Sequence, residues 1–128
     1  MQVNDVTERI IGCAIEVHRQ LGSGFLESAY QAAMAYEVKK AGLRFEPEKV
    51  LPVPYKDIIL KVGFRCDFLV EGCVILECKA VIELSPIELA QVLNYLKITK
   101  LQVGLLVNFN VLKLTDGIRR VANKYHTG

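Results

Sequence analysis

The segment Ser85-Pro86-Ile87-Glu88 constrains the fold more than any other stretch of the chain. A Ser at a helix N-cap accepts a hydrogen bond from the backbone N–H three residues on, and a Glu at that third position can return the bond. Pro suits the first helical position, because the N–H it lacks would find no partner there. A helix is therefore expected from here to about Lys97. Apolar runs short enough to be strands flank it, Cys73 to Ala80 before it and Leu101 to Val107 after it. A helix carried between two strands of one sheet brings the chain back across it, so the second strand lies parallel to a neighbour. An α/β layer fold follows.

Upstream, Val6, Ile10, Cys13, Ala14, Val17 and Leu21 recur at helical spacing, which places a first helix from Asn4 or Asp5 to Leu21. Gly22-Ser23-Gly24 ends it and turns the chain. A second helix is expected from Phe25 to Ala41, with Gly42 as its C-terminal cap. Phe45 to Tyr55 contains Pro47 and Pro52 and reads as an edge strand. Lys56-Asp57 turns it into a long strand, Ile58 to Val70, with a bulge or bend at Gly63. The segment from Asp116 is expected to form a short C-terminal helix. The order is α-α-β-β-β-α-β with that helical tail, one mixed sheet flanked by helices. Residues 1–128 suit a single domain, with no repeats or linkers among them.

The two central strands carry a readable parity. Phe64, Cys66, Phe68 and Val70 alternate with Arg65, Asp67 and Leu69, while Val74, Leu76, Cys78 and Ala80 alternate with Ile75, Glu77 and Lys79. Side chains change face at every residue, so one apolar face per strand is expected against the core. Asp67, Glu77 and Lys79 then share the opposite face. A two-residue turn at Glu71-Gly72 would set Asp67 across from Leu76, on the wrong side. An odd-length loop such as Val70-Glu71-Gly72, with Gly72 in a left-handed conformation, sets odd residues against odd ones.

Two carboxylates and an amine on one face near a bend can be a solvated polar surface with an ion pair. They can also clamp a hard cation such as Mg²⁺, which prefers carboxylate oxygens and keeps several waters. Composition decides little between the two. With 16 Lys and Arg against 14 Asp and Glu, the net charge of +2 is too small for a protein that coats nucleic acid through phosphate neutralisation. It does not exclude an enzyme that holds nucleic acid partly through a bound metal. Cys13, Cys66, Cys73 and Cys78 contain no Cys-x-x-Cys pair, and only His18 and His126 could join them, so free buried thiols are expected rather than a zinc or iron–sulfur site. His18 lies beside the apolar stripe of the first helix and reads as a packed residue. Such thiols suit a reducing compartment. No secretory signal or membrane span is expected, and cytoplasmic placement is the default.

Asp67 followed after nine residues by Glu77-Cys78-Lys79 resembles the Asp…Glu-x-Lys signature of PD-(D/E)XK nucleases. Gln91-Val92-Leu93-Asn94-Tyr95 is similar to the Gln-x-x-x-Tyr motif of the RecB-like branch. Gly24-Phe25-Leu26-Glu27-Ser28-Ala29-Tyr30 resembles the signature of the GxxExxY family within that superfamily. The resemblance covers roughly residues 5 to 121. Cys66 stands where the named motif has Pro, at a position that varies in the superfamily. By position, the resemblance implies that Asp67 and Glu77, with the backbone carbonyl of Cys78, bind Mg²⁺ or Mn²⁺. Glu27 is the helical carboxylate that supports the metal, and Lys79 assists the attacking water. Gln91 and Tyr95 line the cleft and contact the substrate or the lysine. Bland roles compete for three of these: a helix-dipole partner for Glu27, a surface amide for Gln91, a boundary core residue for Tyr95. The implied activity is metal-dependent hydrolysis of nucleic-acid phosphodiester bonds, DNA or RNA, with a homodimer possible around so shallow a cleft. The alternative is a nucleic-acid- or protein-binding module that keeps the fold without turnover.

Overall fold

The computed structural model describes residues 1–124, leaving aside the side chain of Val62. His126 lies outside them. Two helices, α1 (Val3–Leu21) and α2 (Glu27–Lys40), precede three strands, β1 (Phe45–Tyr55), β2 (Ile58–Val70) and β3 (Val74–Lys79). Helix α3 (Pro86–Thr99) then leads to β4 (Val103–Asn108), a 3-10 turn at Leu114–Gly117, and β5 (Ile118–Ala122). The five strands form one sheet in chain order, antiparallel except for β3 and β4. The crossover helix produces the parallel pair expected of it. No helix among the described residues is long and apolar enough to cross a membrane.

The expected caps form. Ser85 Oγ accepts the Glu88 N–H and Glu88 Oε2 accepts the Ser85 N–H, closing the capping box. Gly42 takes φ 81° after α2, and the Leu43 N–H returns to the Val38 carbonyl. At the other end of α3 the left-handed cap falls on Lys100.

Helices α1 and α2 cover one face of the sheet. Val6, Ile10, Ala14, Val17, Tyr30, Met34 and Val38 pack there with Val70, Val74, Leu76, Cys78, Leu105 and Val107. On the other face α3 brings Tyr95 and Leu96 against Ile75, Leu51 and Cys66. Gly104 lets α3 come close, since a Cβ there would sit 2.6 Å from Val92 Cγ1. Cys13, Cys66 and Cys78 are buried, Cys73 is half-buried, and all four are free thiols. His18 Nε2–H donates to the Val111 carbonyl at 2.7 Å, which gives that histidine a structural role.

Two expectations need correction. The C-terminal segment is an edge strand rather than a helix, because Ile118–Ala122 pairs antiparallel with the open side of β4, Val107 opposite Ile118 and Val103 opposite Ala122. Arg119 and Arg120 place charge on that sheet edge. The apolar face of β2 is not continuous either. Phe68 and Val70 pack under α1 and α2, whereas Phe64 and Cys66 pack beside Tyr95 under α3. The strand turns over between them, at Asp67. Opposite Asp67, Glu48 of β1 takes φ 49° and drops out of the register that pairs Pro47 with Phe68 and Lys49 with Cys66. The register is the same on both sides of Glu48 and shifts only nearer the hairpin tip, between Leu51 and Val53 and across from Gly63, where a bulge or bend is expected.

Candidate active site

The site arises where β2 and β3 part. Their ladder runs Val70↔Val74, Leu69↔Ile75 and Phe68↔Leu76, and there it stops. Three residues, Glu71-Gly72-Cys73 rather than the expected Val70-Glu71-Gly72, separate the strands, because Val70 stays in the ladder opposite Val74; Glu71 takes φ 52° and Gly72 φ 65°. That odd-length loop sets Asp67 across from Glu77, as the parity requires. At the fork the next backbone donors would lose their ladder partners, and a buried N–H without a partner is costly. The two carboxylates replace the ladder. Glu77 Oε1 accepts the Asp67 N–H at 2.8 Å, and Asp67 Oδ2 accepts the Cys78 N–H at 2.8 Å. In a strand the N–H and C=O of one residue leave on the same side. The carbonyl of Cys78 therefore also points into the fork.

Burial sets the charge of this pair. Glu77 is only 6% exposed. Removal from water pushes its carboxyl up to about 8, and the facing Asp67 adds to the rise, against the opposing pull of the Asp67 N–H and Lys79. Asp67 is also raised, chiefly by burial, although the Cys78 N–H, the Gln31 amide and Lys79 draw it back. Glu27, at the first position of α2, is raised by burial, and Lys79, Asp67 and Glu88 all act on it. Among the described residues, Lys79 is the cation whose charge acts on all three carboxylates.

Tyr95 sits at the boundary. It is buried, its ring meets Phe64 edge-on at 4.0 Å, and burial followed by the Glu77 charge raises its phenol. It is both a core residue and a neighbour of the fork. Gln91, one turn earlier, is exposed and makes no side-chain hydrogen bond among the described residues. Glu27 reaches the site from α2, held there by Tyr30. The buried Tyr30 hydroxyl donates to the Gly22 carbonyl at 2.7 Å and accepts the Phe25 N–H at 3.2 Å, while its ring stacks on Phe109 at 4.7 Å. Those bonds fix the Gly22-to-Phe25 turn from which α2 starts. Gln31 escapes the sequence motifs. It lies one turn beyond Glu27, donates to Glu27 Oε2 at 3.5 Å, and sits against Asp67 as well. Its spacing of four from Glu27 is the signal that could have found it. Glu48, which faces Asp67 from β1, gives no comparable signal.

Among the described residues no three His, Cys, Asp or Glu side chains are arranged to hold a metal ion. Glu27 is near enough for its charge to be felt but does not complete a three-carboxylate cluster. The fork itself suits a hard divalent cation. It offers two carboxylates, each with one oxygen not used by a backbone N–H, and the Cys78 carbonyl, with the rest of the shell left to water. Burial raises both carboxyls, and the Asp67 charge raises Glu77 further; such a cation offsets both effects by favouring the ionised forms.

A family model described as the PD-(D/E)XK nuclease superfamily matches residues 4–121. No curated protein and no solved structure matches the chain.

Proposed function

Because the chain belongs to the PD-(D/E)XK nuclease superfamily, we propose that it is a divalent-metal-dependent nuclease of the RecB-like GxxExxY type, hydrolysing phosphodiester bonds of nucleic acid. The observation that supports this most is the reciprocal latch of Asp67 and Glu77 at the strand fork, with Lys79 as the cation serving both. Asp67, Glu77 and the Cys78 carbonyl would hold Mg²⁺ or Mn²⁺, supported by Glu27 from α2. The ion supplies Lewis-acid polarisation of a phosphoryl oxygen. Lys79 orients the attacking water and offsets the negative charge that develops on the phosphoryl oxygens. Tyr95 closes the apolar side of the fork and keeps bulk water from Glu77. Gln91, exposed on the same helix face, is placed to meet substrate. Gln31 holds Asp67 and Glu27 in mutual register.

The test is a cleavage assay with Mg²⁺ or Mn²⁺ on single- and double-stranded DNA and RNA, comparing wild type with Asp67→Asn and Lys79→Ala. Both variants should lose at least about a hundredfold in rate, the usual scale for one electrostatic or proton-transfer group. Tight nucleic-acid binding with no cleavage in any of these conditions would replace the nuclease by a binding module.

A further inference from the structure

A cleft of roughly 260 Å³ opens from the site along α2, with Asp67 among its lining residues. Its helical wall is Ser28, Gln31, Ala32 and Ala35, one face of α2 built of small side chains around a single amide. Pro47 and Glu48 of β1 line the other wall, and Phe68, itself buried, closes the floor. Glu48 is the residue whose positive φ takes it out of pairing opposite Asp67, so the cleft and the turnover of β2 share one cause.

The chemistry of this lining selects its occupant. Two carboxylates and no cation line the cleft, which repels a phosphate. The surfaces of Ala32, Ala35 and Pro47 favour an apolar body, while Ser28, Gln31 and Glu48 offer hydrogen-bond partners at its margin. A few polar groups around an apolar lining is the general form of a small-molecule pocket. The volume falls below the roughly 300–1,000 Å³ of pockets for drug-sized ligands, which leaves room for one base and excludes a stacked pair. A strand whose phosphate lies at Asp67 carries such a neutral, flat group beside it.

Resting on the nuclease reading of the fork, we propose that this cleft is a subsite for one unpaired nucleobase adjacent to the phosphate at Asp67. The protein then acts on single-stranded or frayed nucleic acid, because a base inside a duplex cannot enter. Filling the cleft should abolish recognition of the base and leave recognition of the backbone.

Ala32 is exposed and lies outside the metal and proton machinery, so Ala32→Phe fills the cleft without disturbing the core, and Ala32→Ser keeps it open. Binding of a fluorescent single-stranded oligonucleotide is measured by anisotropy in Ca²⁺, beside the same sugar–phosphate chain made wholly abasic. Wild type and Ala32→Ser should prefer the intact oligonucleotide by about tenfold or more, the scale of one base–side-chain stacking contact. Ala32→Phe should bind both ligands alike, at the wild-type affinity for the abasic chain, with an unchanged melting temperature. Equal binding of both ligands by wild type, or an unchanged preference in Ala32→Phe, overturns the subsite. A preference that Ala32→Phe abolishes, in a protein that cleaves nothing, keeps the subsite and removes the nuclease reading.

Discussion

Glu77→Gln isolates the electrostatic cost of the fork. Glutamine keeps a side-chain oxygen to accept the Asp67 N–H, which Glu77 Oε1 now does at 2.8 Å, and it carries no charge. The Glu77 carboxyl lies at about 8 in the folded protein, whereas an unfolded Glu titrates at about 4.3. The sign is that of a raised carboxyl. Below the unfolded value both states hold the proton, and the folded state carries no penalty. Between that value and about 8 the unfolded chain releases its proton while the folded one keeps it, so stability falls as pH rises. Each pH unit inside the window costs about 1.4 kcal/mol, and between pH 5 and pH 8 the loss reaches about 4 kcal/mol as an upper limit. Urea unfolding of wild type and Glu77→Gln at half-unit steps from pH 5 to pH 9, in a chelator, reads this directly. The variant should lead by only about 1 kcal/mol at pH 5, and its lead should grow steadily towards pH 8. Parallel curves across that range would show that Glu77 is not held protonated, and the account of a strained carboxylate pair would fail with it.

Three further outcomes are expected. Mn²⁺ or Mg²⁺ should raise the melting temperature of wild type by mass action, and Asp67→Asn, which keeps an acceptor for the Cys78 N–H, should lose most of that increment; calorimetric melts with and without metal decide it. Tyr30→Phe should cost about 1–3 kcal/mol in denaturant unfolding, since the Gly22 carbonyl and Phe25 N–H lose their partner while the stacking on Phe109 persists. Hydrogen exchange at the Phe25 amide should speed up with it. Gly104→Ala should destabilise by about 1–3 kcal/mol because its methyl meets Val92 Cγ1, and an unchanged melting temperature would mean that α3 is free to shift on the sheet.

How much of this was legible depends on the range of the interaction that decides each element. The capping box of α3 and the bounds of β1 and β2 are local, and the sequence states them: Ser85 with Glu88, and Tyr55 and Ile58 either side of Lys56-Asp57. The pairing of Asp67 with Glu77 is nearly as local, because a short hairpin and its parity determine it. What stayed hidden is set by partners far along the chain. Ile118–Ala122 becomes a strand because β4 has an edge to offer, and five residues with two arginines cannot announce that by themselves. The turnover of β2 depends on Glu48, 19 positions before Asp67, adopting a left-handed backbone without being glycine. Alternation assumes an unbroken strand, and Phe64 and Cys66 were assigned to the wrong face for that reason.

The fork shows why the turnover of β2 falls beside the site. A regular ladder would carry the Cys78 N–H to the backbone of β2 and leave both carboxylates as ordinary side chains on a strand face. Breaking the ladder there frees the N–H groups of Asp67 and Cys78, and each is then taken by a carboxylate from the facing strand. The same break turns the Cys78 carbonyl into the gap and, through Glu48 on the far side of β2, opens the cleft that reaches Asp67. Structural and chemical roles are therefore carried by the same oxygen-bearing groups. Alanine at either position would remove a backbone acceptor along with a charge, and its effects could not be assigned to one role. Asparagine and glutamine separate them, since they keep the acceptor and discard the charge. A loss of metal response in Asp67→Asn, with the metal-free fold intact, therefore reports on the chemistry of the fork and not on the sheet that builds it.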